Sequence, residues 1–253
     1  MNLVWFHKLG SPRYFFALAQ RLTPWLGTLA CVLLAVGAYW GLVVAPPDYQ
    51  QGESYRIIFV HVPAAWMSMF VWTFMAVAGL IVLVWRMKVA ATLMRAAAPL
   101  GASFTFLALV TGSLWGKPMW GAYWVWDARL TSELILLFLY LGFIALQSAI
   151  EQREAAGRAG AVLALVGLVN IPIIHYSVEW WNTLHQGPTV TRFDKPAMPA
   201  EMLLPLLVMA LGFMTYFAAV LLKRARCDIL ESEGASTWAR ELATAAHSDS
   251  RTP

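Results

Sequence analysis

The sequence predicts an all-α polytopic membrane protein of six transmembrane helices, with both termini inside and a tryptophan-rich loop facing outward. Three observations carry that reading. Of the 253 residues, 60% are apolar and only 13% charged, with a mean hydropathy of +0.61. An ordinary soluble domain is about 45–50% apolar and about 25% charged, so this chain has too little charge to coat a globule. Six stretches are long and apolar enough to cross the hydrocarbon core, which takes about 20 residues. The basic residues, finally, are shared unequally between the two sides.

The stretches are roughly 24–45, 60–85, 96–115, 132–150, 160–179 and 201–222, each free of Lys and Arg in its interior, as the expense of charge in lipid requires. Lipid-facing strands would instead alternate over about ten residues. Residues 1–23, read as a cytoplasmic N-terminal segment, are basic and aromatic without an apolar core. No small-residue cleavage site follows the first span, which is read as retained. Residues 24–222 form the transmembrane domain, and 223–253 a cytoplasmic tail of Ala, Ser and charge. From about Asp228 the tail is read as frayed or as a short surface helix.

Thirteen of the 18 Lys and Arg fall in the N-terminal segment, the loops after the second and fourth spans, and the tail. Arg56, Lys117, Arg129, Arg192 and Lys195 occupy the other three loops. The richer side is the cytoplasmic one. The pI near 9.2 is thus a topology signal, and nucleic-acid binding needs no place. Two distant cysteines, Cys31 and Cys227, exclude a disulfide framework, a Cys-rich zinc site and a C-x-x-C relay. No phosphate-binding G-x-x-x-x-G-K-[ST] loop occurs, so the chain does not itself hydrolyse ATP.

The outward loops carry the unusual residues. Between the third and fourth spans, Trp115, Trp120, Trp124 and Trp126 fall within twelve residues together with Tyr123, and Asp127 follows. Gly116, Pro118 and Gly121 are expected to break the helix at the loop entry. Trp120 and Trp124, four apart, are expected to share one face of a short helix. Isolated Trp25, Trp40 and Trp85, near span ends, suit interfacial anchoring. Four tryptophans in one loop exceed what anchoring requires and suit a platform for a large planar ligand.

Of five histidines, His7 and His247 lie in the termini, whereas His61 opens the second span and His185 lies in the last outward loop. Both stand on the side of the tryptophan-rich loop. As residues they are compatible with two interfacial imidazoles, or with an axial pair on a metal already held by a macrocycle. His175, one turn before Glu179 in the fifth span, lines a cavity or makes a helix–helix hydrogen bond. Asp127 has three available roles: pairing with Arg129, capping the fourth helix, or orienting a Trp N–H.

The run from Trp115 to Thr131, Trp-Gly-x-Pro-x-Trp-Gly-x-x-Trp-x-Trp-Asp-x-Arg-Leu-Thr, resembles the signature of the WWD-domain family, the haem-handling proteins of cytochrome c biogenesis. The likeness covers about residues 20–225, and a six-span chain of this length is similar to the family's short CcmC branch. The resemblance implies haem presentation on the outer face of the bacterial inner membrane and delivery to the haem chaperone CcmE. It implies a complex with the ATPase CcmA, the membrane subunit CcmB and the small protein CcmD. It implies that His61 and His185 are the axial ligands of non-covalent, b-type haem, and that Trp115, Trp120, Trp124, Trp126 and Asp127 belong to the platform. Arg56, Arg129, Arg192 and Lys117 are outward cations suited to the propionates, Arg better by geometry.

No C-x-x-C-H occurs, which excludes the usual thioether attachment and makes binding reversible. The expected role is a transfer scaffold and not an enzyme. Two alternatives remain at this stage. A transporter carrying haem through the bilayer would favour a polar path within the bundle. A membrane-bound b-type electron carrier would place its histidines at bilayer depth.

Overall fold

The computed structural model describes residues 4–181, 183–185, 187 and 198–249, without the side chains of 4–6, 243 and 245–249. A short α1 (Val4–Leu9) precedes α2 (Pro12–Tyr39), α3 (Ile58–Trp85), α4 (Lys88–Trp120), α5 (Ala128–Ala149), α6 (Arg153–Gly167), α7 (Asn170–Trp180), α8 (Ala200–Glu233) and α9 (Thr237–Asp249). No strand occurs among the described residues. Among the described residues, six helical segments are long and apolar enough to cross a membrane: Pro12–Val44, Glu53–Trp85, Lys88–Trp120, Ala128–Ala149, Arg153–Trp180 and Ala200–Glu233. The chain is a multi-pass helical membrane protein.

The helices run beyond the apolar stretches at several ends. The first begins at Pro12, where proline's fixed φ and missing N–H suit a first turn, and it closes in a π-helical turn over Trp40–Val44. The last continues past residue 222 to Glu233, and a further short helix, α9, follows, so the start of the tail is helical. Asp228 receives Arg95 and Arg153 at 3.1 Å each, and Arg153 also reaches Glu231 at 3.2 Å. Arg224 Nε donates to the Ala96 carbonyl at 3.2 Å. α9 then returns to α2 through the Trp238 ring, 5.8 Å from that of Phe16.

The fifth span, expected to be continuous, is broken between α6 and α7. Pro172 has no N–H and its ring excludes a helical carbonyl four residues back. The chain crosses the break on shorter bonds, Val169 N–H to Val166 O at 3.3 Å and Ile171 N–H to Leu168 O at 3.1 Å.

α2 packs chiefly on α8, and α3 on α4, with α5, α6 and α7 completing the other side. Lipid removes the hydrophobic drive between helices, so close approach of small residues takes over. A Cβ at Gly37 of α2 would stand 2.8 Å from Met209 Sδ of α8, and one at Gly212 of α8 2.8 Å from Leu34 Cδ2 of α2. Buried polar groups tie the remaining helices. Trp72 Nε1 donates to Ala164 O at 3.1 Å, Tyr140 Oη to Ser68 O at 2.7 Å, and Asn170 Nδ2 to Ser132 O at 2.9 Å. Each satisfies a donor for which lipid offers no partner.

Candidate haem-binding cavity

The N-terminal end of α3, the C-terminal end of α4, the start of α5 and the end of α7 meet at one end of the bundle. They enclose a cavity of about 270 Å³. α3 contributes His61, Trp66 and Met69; α4 contributes Gly112, Trp115, Met119 and Trp120; α5 contributes Arg129 and Glu133. α7 adds His175, and the segment between α7 and α8 adds Leu184 and His185. The two histidines singled out in the sequence thus line one space.

Each wall follows from local sequence. α4 does not stop at Gly116 or Pro118: both lie inside the helix, which ends on Gly121 at φ 75°. Pro118 sits in the last turn, where its loss of one backbone bond is small, while only glycine takes the left-handed cap without strain. This extra turn brings Met119 and Trp120 to the cavity wall beside Trp115. It also separates Trp120 from Trp124, which belongs to no helix, so the expected shared face is absent. Gly116 is buried, and a Cβ there would meet the Trp120 ring at 3.0 Å.

The segment before α3 is held by Asp48, whose Oδ1 accepts the backbone N–H groups of Gln50 at 2.9 Å and Gln51 at 2.8 Å. Gln51 Oε1 in turn accepts the Trp115 indole N–H at 2.8 Å. The Trp115 ring meets Tyr55 edge-on at 5.8 Å and His61 edge-on at 5.6 Å. His61 lies one turn into α3, half-buried, with Nδ1 3.0 Å from Thr111 Oγ1. A Cβ at Gly112 would stand 2.9 Å from His61 Cε1, so the imidazole rests on bare α4 backbone.

Asp127 has the extended backbone of a helix N-cap, and its Oδ1 accepts the Leu130 N–H at 2.8 Å. Of its three available roles the cap is realised, together with a partner the sequence did not suggest. Asp127 Oδ2 accepts His185 Nδ1–H at 2.8 Å and the Thr183 hydroxyl at 2.9 Å. Thr183 Oγ1 also accepts the His185 backbone N–H at 2.9 Å. The Trp120 ring meets His185 edge-on at 4.7 Å. Burial would raise the Asp127 pKa, but the bonds from Leu130, His185 and Thr183 outweigh it and hold the carboxyl below its ordinary value. Burial lowers His185, against the opposing pull of Asp127 and with a smaller push from Arg129. At neutral pH the pair is therefore a carboxylate and a neutral imidazole protonated on Nδ1.

Other expected site residues stand elsewhere. Trp124 and Trp126 form an edge-to-face pair at 5.4 Å outside the cavity lining, and Trp126 is 76% exposed. Arg56 is engaged by the Glu53 carboxylate and by the Gly41 carbonyl at 3.1 Å. Lys117 lies over the Tyr123 ring at 5.2 Å. Arg129 is the expected cation that lines the cavity, while Arg192 lies outside the described residues. His175 lines the cavity, and Glu179 is exposed.

Glu133 was not among the expected site residues. Its residue is 8% exposed, and its Oε1 is buried without a hydrogen-bond partner. An acidic residue one turn into an apolar span is the signal that marks it. Trp66, Met69 and Gln51 carry no such mark, because a span or loop contains many residues of these types.

The fold and cavity define a multi-pass helical membrane protein with three imidazoles and three indoles, among the described residues, around one end-of-bundle cavity. Residues 5–240 match the family model for heme exporter protein C. The chain is 55% identical over 236 residues to heme exporter protein C of Escherichia coli strain K12, covering 93% of this chain and 95% of that one. It is 49% identical over 239 residues to heme exporter protein C of Haemophilus influenzae, covering 94% and 97%. A ccmC-like mitochondrial protein of Marchantia polymorpha, its name placing it in cytochrome c biosynthesis, is 43% identical over 202 residues, covering 80% and 86%. The chain belongs to the heme exporter protein C family.

Proposed function

We propose that the chain binds haem non-covalently at the periplasmic face of the bacterial inner membrane and hands it to the chaperone CcmE during cytochrome c maturation. It does so beside CcmA, CcmB and CcmD, with residues 1–23 and 223–253 on the cytoplasmic side. In this reading His61 and His185 are the axial ligands, Trp115 and Trp120 wall the ring, and Arg129 takes a propionate. Haem is cargo, and the chain is a transfer scaffold that catalyses no covalent step.

One observation carries the reading: His61 and His185 line the same aromatic-walled cavity. The donor set fits the cargo. Among the described residues no group of three or more His, Cys, Asp or Glu is placed to hold a bare metal ion. Two imidazoles suffice for an iron whose other four bonds are filled by a macrocycle. Each indole–ring contact contributes about 0.5–1.5 kcal/mol beyond area burial. Trp124 and Trp126, outside the cavity, are assigned to the chaperone side of the platform, and Arg56 to its rim.

The test is the optical spectrum of the haem-loaded protein after His61→Ala and His185→Ala singly. Each change is expected to abolish the six-coordinate low-spin signature. Unchanged spectra in both would remove the axial pair. Glu133 and His175 favour a second reading, carriage of haem deeper into the bundle. Haem that survived both histidine substitutions but was lost on Glu133→Leu would favour it.

A further inference from the structure

Two of the cavity histidines, His61 and His185, are held through Nδ1 by chemically different partners, and one of those partners lies on a transmembrane span. Thr111 has a single hydroxyl hydrogen. Its Oγ1 lies 2.6 Å from the Leu107 carbonyl oxygen and 3.3 Å from that of Ala108. Both are acceptors only, so the hydrogen is committed to the residue's own helix. The same Oγ1 is 3.0 Å from His61 Nδ1. With its hydrogen committed, the hydroxyl can meet the ring only as an acceptor. His61 Nδ1 therefore carries the proton, and Nε2 keeps the lone pair.

The surroundings of the ring agree. Thr111, Gly112 and Trp115 are successive contacts from one helix: an acceptor for Nδ1, a glycine that leaves room for Cε1, and an indole 5.6 Å away on its edge. A ring flipped about χ2 would turn a carbon toward Thr111 Oγ1 and lose the hydrogen bond. The Thr111 hydroxyl, together with the Ala108 carbonyl that also bonds the ring, thus fixes both the tautomer and the rotamer.

We propose that Thr111 is the positioning residue of the haem site, making His61 Nε2 the ligating nitrogen before the cargo arrives. The proposal rests on the axial-ligand reading above. It also makes the two ligands unequal. Asp127 presents a carboxylate to His185, and a charged acceptor strengthens an imidazole as a donor more than a neutral hydroxyl does. His61 is the weaker ligand, and it gives way first when a competing base approaches.

The test compares Thr111→Val, which keeps the shape and removes the acceptor, with Thr111→Ser, which keeps the acceptor. In 15N-histidine NMR of the haem-free protein, His61 is expected as the Nδ1–H form in wild type and Thr111→Ser, and as a tautomer mixture in Thr111→Val. Haem affinity should fall about 10–100-fold in Thr111→Val and stay within a few-fold in Thr111→Ser. Added imidazole should restore the low-spin spectrum to Thr111→Val, as to His61→Ala. Wild-type tautomer and affinity in Thr111→Val, beside a His61→Ala protein that has lost its signature, would overturn the role of Thr111 and leave the axial pair standing. An unchanged His61→Ala spectrum would overturn the pair, and this proposal with it. A Thr111→Ser protein as defective as Thr111→Val would also overturn it.

Discussion

Asp127 serves two elements with two oxygens: one caps α5 through Leu130 N–H and the other holds His185 and Thr183. An amide has one acceptor oxygen and cannot satisfy both sides. Asp127→Asn should therefore either lower stability by about 1 kcal/mol through the lost cap or release His185 and weaken haem binding roughly tenfold. Thermal denaturation read beside a haem titration separates these outcomes, and a variant unchanged in both would show that the shared carboxylate is unimportant. Gly112 gives a second residue-level test. Ala is the better helix former by about 1 kcal/mol, yet a Cβ there would meet His61 Cε1 at 2.9 Å. Gly112→Ala is expected to keep or raise Tm while haem affinity drops. Residue chemistry was partly legible in advance: His61, His185 and the clustered indoles stand out by type. The partners of those rings did not, because Thr111, Thr183 and Gln51 are common residues whose roles depend on which helix ends meet.

At the scale of the element, boundaries moved where a single residue outweighed a pattern. Hydropathy marks α4 as ending near residue 115, but the helix runs to Trp120 and stops at a glycine with φ 75°. Gly121→Ala should cost about 1 kcal/mol through the left-handed cap, and Gly121→Asn less, because Asn tolerates that conformation. A larger loss for Asn than for Ala in a denaturation series would contradict the cap. At the other end of the bundle, Asp228 gathers Arg95 and Arg153 where its side chain is 16% exposed. Exposed pairs are worth about 0.2–1 kcal/mol and broken buried pairs about 3–5. Asp228→Ala is thus expected to destabilise by about 1–3 kcal/mol, and Glu231→Ala, at a 73% exposed side chain, by much less. Hydropathy cannot register a helix that continues past the lipid on charged side chains, which is why the tail read as nondescript.

For the whole molecule, the six apolar stretches and their number were legible because lipid imposes a length and a composition on whatever crosses it. The division of the tryptophans was not. Trp115 and Trp120 line the cavity, whereas Trp124 and Trp126 stand outside it, a split that depends on where α4 stops. Replacing Trp115 and Trp120 by Ala should strip haem from the purified protein. Replacing Trp124 and Trp126 should leave haem bound and slow its appearance on the chaperone. Equal haem loss in both double variants would dissolve that division.

Among the described residues, none lining the cavity comes from α2 or α8. Those two helices close on each other through Gly37 and Gly212. Gly10, just before α2, lies beside Met87 in the α3–α4 turn, and Asp228 near the end of α8 pairs with Arg95 of α4, both at the end of the bundle away from His61. The molecule is built as a mast and a vessel. A fluorescent protein fused to either terminus would ride on the mast, reporting insertion and assembly while leaving the vessel's contents undisturbed.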